Sequence, residues 1–181
     1  MKRIFPESLD ISAAVAHAQY VSRNLDSAQE SYENLRDIDP HRLQGLDTYS
    51  NILYVKERRS ELSHLAHMTS KISKYAPETC CVVGNYYSLK GQRERAIIYF
   101  GRALHLNRKM VAAWTLMGHE YIELRNTSAA VSCYREAIDI NSSDYRAWYG
   151  LGQTYEMLHM YQYALYYYRR AAVLMATGKQ F

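Results

Sequence analysis

Proline and glycine are scarce in this chain of 181 residues, with three and eight copies respectively. That scarcity disfavours a loop-rich β fold and suits long helices. Cysteine is scarce too: Cys80, Cys81 and Cys133. An odd count with two neighbours adjacent argues against a disulfide framework and for a reducing compartment. No run of uncharged apolar residues is long enough to span a bilayer, so no membrane contact is expected. The opening MKRIFPESLD lacks the apolar centre of a secretion signal. Charge is nearly balanced, with 22 Lys and Arg against 18 Asp and Glu. A net charge of +4 falls well short of the dense basic surface of a dedicated nucleic-acid binder.

Catalytic signatures are absent as well. There is no GxSxG, no P-loop and no CxxC. His119-Glu120 begins like a zinc-protease motif, but no second histidine follows. His64 and His67 stand three apart without a third ligand nearby in sequence, which is too little for a metal site. The expectation is a protein with no catalytic residue, no metal and no cofactor.

What the chain does have is tyrosine, 18 copies of it, and a period. Trp114 and Trp148 are 34 residues apart, and the same step relates Gly118 to Gly152, Tyr121 to Tyr155, Ala130 to Ala164, Tyr134 to Tyr168 and Ala137 to Ala171. One step earlier lie Cys80, Gly84, Tyr87, Ala96, Phe100 and Ala103. This spacing, with W-x2-L-G-x2-Y followed by A-x3-F/Y-x2-A, resembles the tetratricopeptide repeat, in which each unit is a helical hairpin. The expected fold is all-α: a right-handed α-solenoid of about five hairpins. The units fall at 9–42 and 43–76, both degenerate, then 77–110, 111–144 and 145–178, between an N-terminal segment 1–8 and a tail 179–181. The first helix of the first unit, near Ile11–Ser22, fits the pattern poorly.

The repeat assigns packing roles. Gly84, Gly118 and Gly152 let neighbouring helices approach, as do Ala130 and Ala164. Trp114, Trp148, Tyr121 and Tyr155 fill the space between layers. Cys80 takes the tryptophan slot of its unit and is expected to be buried and inert. Gly150 aligns with Leu116 and Val82, so it reads as a local feature without a repeat counterpart. The run Tyr166-Tyr167-Tyr168-Arg169-Arg170 carries the groups that stack bases and hold phosphate, but packing within the array is the stronger reading.

In such arrays the first helices line a concave groove that receives polypeptides. One position after the packing glycine the chain carries Asn51, Asn85, His119 and Gln153, all polar. Nearby slots hold Asp47, Glu78, Glu123 and Glu156, with Tyr149 as a flat apolar surface. An amide-rich, mildly acidic groove suits the backbone of an extended peptide, and an arginine on it would pair with carboxylates.

A closer resemblance rests on the strings DTYSNILYV (47–55), ETCCVVGNYYSL (78–89), AWTLMGHEYIELRNTSAAVSCYREAIDIN (113–141), DYRAWYGLGQTYEML (144–158) and YALYYYRRA (163–171). These resemble the family of cell-division-cycle protein twenty-three, the eighth subunit of the anaphase-promoting complex. The resemblance implies a non-catalytic scaffold of a multisubunit ubiquitin ligase in mitotic control, found in nucleus and cytoplasm. Its partners would be the other repeat subunits and coactivator peptides carrying a short arginine-containing box. It also implies homodimerisation of the full-length protein through N-terminal repeats, and makes this chain an interior portion, since MKRIFPESLD does not match the family's start. Two other readings stand beside it: a co-chaperone or other interaction adaptor, whose groove would need lysine and arginine, and an RNA-binding helical repeat.

Overall fold

The computed structural model describes residues 8–177; the expected N-terminal segment up to residue 7 and the tail from 178 onward lie outside them. Among the described residues there are ten helices and no strand. In chain order they are α1 (Leu9–Val21), α2 (Leu25–Ile38), α3 (Leu46–Val55), α4 (Arg59–Ile72), α5 (Pro77–Leu89), α6 (Arg93–Leu106), α7 (Val111–Glu123), α8 (Thr127–Ile140), α9 (Tyr145–Met157) and α10 (Tyr161–Thr177). The even-numbered helices start at residues 25, 59, 93, 127 and 161, one start every 34 residues. The α-solenoid class expected from the period is the fold observed.

Each hairpin turns in the same way. Arg23, Glu57, Gly91, Arg125 and His159 all adopt positive φ, between 54° and 74°. The following amide closes the turn onto the helix before it: Asn24 N–H donates to Gln19 O, Arg58 to Leu53, Gln92 to Tyr87, Asn126 to Tyr121 and Met160 to Tyr155, at 2.9–3.0 Å. This left-handed C-terminal turn satisfies carbonyls that the helix end would leave unpaired. Only one of the five positions is glycine; the other four side chains carry the steric cost of that conformation. Asn24 and Asn126 then cap the next helix, accepting from the amides of Ser27 and Ala129.

The chain forms two compact units, Met1–Tyr86 and Tyr87–Phe181, with the division inside α5. In the first unit the buried core draws on Ala28, Tyr32, Tyr49, Ile52, Leu53, Leu62 and Leu65. The rings of Tyr32 and Tyr49 lie 5.9 Å apart. Within α1 only Ala16 is buried, so this helix buries little of its surface, which accounts for its poor match to the repeat pattern.

In the second unit the core is organised by one ring. Tyr134 on α8 is fully buried among Ala130, Ala137, Ala147 and Leu151. A Cβ added at Gly118 on α7 would come within 2.7 Å of that ring, and one at Gly150 on α9 would overlap it. Tyr134 therefore sits in a slot formed by two glycines, one from its own hairpin and one from the next. The local reading of Gly150 is corrected by this contact: its partner belongs to the preceding repeat. Gly152 faces its own hairpin's Tyr168, where a Cβ would approach to 2.6 Å. The two glycines of "YGLGQ" thus serve two different tyrosines. The tryptophans repeat a contact as well, since the indole of Trp114 donates to Arg108 O at 3.0 Å and that of Trp148 to Ser142 O at 2.9 Å.

Gly150→Ala should lower the unfolding free energy by about 1–3 kcal/mol through overpacking, even though alanine is the better helix former by about 1 kcal/mol. Gly101→Ala on α6, where an added Cβ meets nothing within 4 Å, should raise it by about 0.5–1 kcal/mol. Urea unfolding of the two variants checks these opposite signs.

Candidate peptide-binding site

The residues expected to line a groove come from first helices of hairpins, and the structure separates them by environment. In the first unit, Asn51 on α3 and Asn85 on α5 are interior groups, 7% and 0% exposed. The Asn85 amide nitrogen donates to Asn51 Oδ1 at 2.7 Å and to Ser50 Oγ at 2.8 Å, and Ser50 Oγ donates to Asp47 O at 2.7 Å. The expectation that these two asparagines face a ligand is corrected: both side chains are buried and bonded to each other through the Asn85 amide nitrogen, while the buried Asn85 Oδ1 has no partner among the described residues. Asp47 and Glu78 beside them are half-buried.

In the second unit, α7 and α9 pack against each other and present His119, Glu123, Tyr149, Gln153 and Glu156. His119 is half-buried and shares a 2.8 Å hydrogen bond between its Nδ1 and Tyr134 Oη. Burial, aided by the nearby Arg146 charge and opposed by Asp144, pushes its pKa down to about 4. The imidazole is therefore neutral at physiological pH. Gln153 is half-buried and Glu156 exposed. Glu156 Oε2 accepts from Tyr168 Oη at 2.6 Å. Tyr149 is 48% exposed, its ring 5.3 Å from that of Tyr168. The two rings open a cleft of about 510 Å³, lined further by Ala171, Ala172, Met175 and Ala176.

Glu123 is exposed, but its carboxylate is bound by Arg93 at 2.9 Å. The same guanidinium reaches Glu120 Oε2 at 3.3 Å. Glu120 is 3% exposed and accepts from Ser88 Oγ at 2.5 Å. Desolvation raises its pKa against the pull of Ser88 and Arg93. This buried clip escaped the sequence reading, which met Glu120 only as part of a failed zinc motif. The signal was present: the repeat counterpart of Glu120 is Thr154, a fully buried slot, and a carboxylate in such a slot demands a partner.

With this geometry in place, comparison with known proteins decides the family. The family model described as "Tetratricopeptide repeat" matches residues 77–110 and that described as "TPR repeat" matches residues 118–158. The chain is a tetratricopeptide-repeat protein. This repeat chain is 54% identical over 129 residues to "Anaphase-promoting complex subunit 8" of Arabidopsis thaliana, covering 71% of the chain and 22% of that relative. The subunit of the same name from Dictyostelium discoideum is 51% identical over 129 residues, with the same coverage. "Anaphase-promoting complex subunit CDC23" of Saccharomyces cerevisiae is 45% identical over 131 residues, covering 72% of the chain and 21% of the relative. The repeat chain thus spans about a fifth of the length of these relatives. In fold it is similar to the crystal structure of MamA, with a TM-score of 0.62 at 17% identity, covering 92% of this chain and 98% of that one.

The depressed His119 pKa has a sign. The unfolded histidine protonates near its ordinary value, the folded one only near 4, so the unfolded state binds more protons between these values. Stability is fully present above the unfolded pKa and is lost as pH falls toward 4. His119→Gln, which cannot titrate, should reduce the drop in Tm between pH 7 and pH 4.5 by about 3 °C or more. Calorimetric scans of both proteins across that range test this.

Proposed function

We propose that this chain is the peptide-receiving part of a non-catalytic scaffold subunit of the anaphase-promoting complex, a ubiquitin ligase of mitotic control in nucleus and cytoplasm. The observation that carries the reading is the 54% identity to subunit 8 of the Arabidopsis complex across most of this chain. In this reading the full-length protein forms homodimers, stacks on sister repeat subunits and leaves ubiquitin transfer to other components.

The α7–α9 face supports binding of an extended coactivator or partner peptide. His119 is held neutral, Gln153 brings an amide donor and acceptor, and Tyr149 and Tyr168 supply an apolar wall beside the Glu156 carboxylate. That set matches a peptide backbone with one basic side chain. A co-chaperone clamp, which reads a terminal carboxylate through free basic groups, is disfavoured here because Arg93 is already held by Glu120 and Glu123.

Two measurements test the proposal. Tagged full-length protein purified from cells should bring down the other subunits of the complex; their absence would remove the scaffold assignment. An arginine-bearing coactivator peptide should bind the isolated chain, and the double change Gln153→Ala and Glu156→Gln should weaken it about tenfold, or about 1.4 kcal/mol. Unchanged affinity with unchanged helicity would remove this face from recognition.

A further inference from the structure

The second unit carries another surface that the peptide-binding reading does not use. Tyr155 on α9 and Tyr167 on α10 stack in parallel, centroids 5.2 Å apart and planes 4° apart. Tyr163 extends the stack beyond Tyr155 at 5.6 Å, and Trp148 meets Tyr167 at 6.0 Å. On α10, Tyr163, Tyr167 and Arg170 recur at helical spacing, so they share one side of that helix. Arginines stand along this row. Arg135 on α8 donates to Tyr155 Oη at 3.0 Å, and the Arg170 guanidinium lies 5.6 Å from the Trp148 ring centroid.

Three features of the row decide what it fits. The inner ring faces of Tyr155 and Tyr167 are used up by stacking on one another, while Arg135 and Arg170 are held beside the rings by a tyrosine hydroxyl and an indole face. Arg135, Arg169 and Arg170 are exposed and make no ion pair among the described residues, unlike Arg93, Arg108 and Arg146. Finally, α10 contains no acidic residue, its sequence being YQYALYYYRRAAVLMAT. Long arginine side chains fixed by an aromatic contact or a tyrosine hydroxyl lose less freedom on binding than free ones. Guanidinium forks and phenol donors together match carboxylates.

We propose that this aromatic–arginine strip, formed by α8, α9 and α10 and separate from the α7–α9 peptide face, docks an acidic polypeptide segment. The carboxylates pair with Arg135 and Arg170, and apolar side chains between them lie against Tyr163 and Tyr166, which are 55% and 59% exposed. Single-stranded nucleic acid is the less fitting occupant, because base stacking needs free ring faces and the central rings cover each other's.

The test is fluorescence anisotropy at low salt with a labelled dodecapeptide rich in glutamate and proline, compared with its lysine counterpart and with single-stranded oligouridine. The acidic peptide should bind in the micromolar range, and the lysine peptide should not. Arg135→Gln with Arg170→Gln should weaken binding about tenfold or more, and Tyr166→Ser should weaken it severalfold, with helicity and Tm unchanged. Gln153→Ala, on the other face, should leave it unaltered, which keeps this outcome distinct from that of the peptide-face experiment. The proposal is overturned if the acidic peptide fails to bind, if the double variant binds it as well as the unmodified chain, or if oligouridine binds more tightly than the peptide.

Discussion

The second unit depends on a tyrosine ring lying where two side chains would otherwise be. Tyr134 fills the space left by Gly118 on its own hairpin and Gly150 on the next. Each glycine in a helix costs about 1 kcal/mol relative to alanine, whereas burying one large aromatic side chain returns about 1.5–3 kcal/mol and locks two helices to a third. The ring is anchored at its far end too, since its hydroxyl meets His119. One side chain therefore sets the spacing within a hairpin and the spacing to the following hairpin, and holds a neighbouring imidazole by a hydrogen bond.

The turn geometry is uniform across the hairpins of both units while its residues are not. Arginine, glutamate, glycine, arginine and histidine all occupy the left-handed turn position. A side chain there is strained by roughly 1–2 kcal/mol, and no local preference selects arginine or glutamate for it. The turn is dictated from outside, by helices that must return at a fixed distance. Where the core contact is made, the backbone follows.

The period was legible in the sequence because packing repeats strictly: glycines, alanines and aromatics recur every 34 residues, and the helix starts recur with them. Polar slots obeyed no such rule. Asn85 and Gln153 are repeat counterparts, yet Asn85 is fully buried and Gln153 half-buried. The difference lies in their neighbours, since Ser50 and Asn51 take up the Asn85 amide and close over it. No count along one helix reveals that. Gly150 was missed for a related reason. Its partner sits sixteen positions earlier in the chain, in another repeat, so comparison with Leu116 and Val82 could not find it. Sequence periodicity reports what is the same in every repeat, and these positions carry what differs between them.

Those differences also set the character of the peptide face. Counted from sequence, its carboxylates make it acidic, but Glu123 is bound by Arg93 and Glu156 holds the Tyr168 hydroxyl. His119 adds no positive charge to offset them. What the face offers is oriented hydrogen-bonding groups beside two tyrosine rings, with one carboxylate already fixed in position. On the proposed reading, recognition there is governed by geometry more than by net charge, because a ligand cation gains most from a carboxylate whose direction is set in advance. Arg135 and Arg170, which touch the aromatic strip, make no ion pair among the described residues, so on the proposed readings the two surfaces call for ligands of different chemistry.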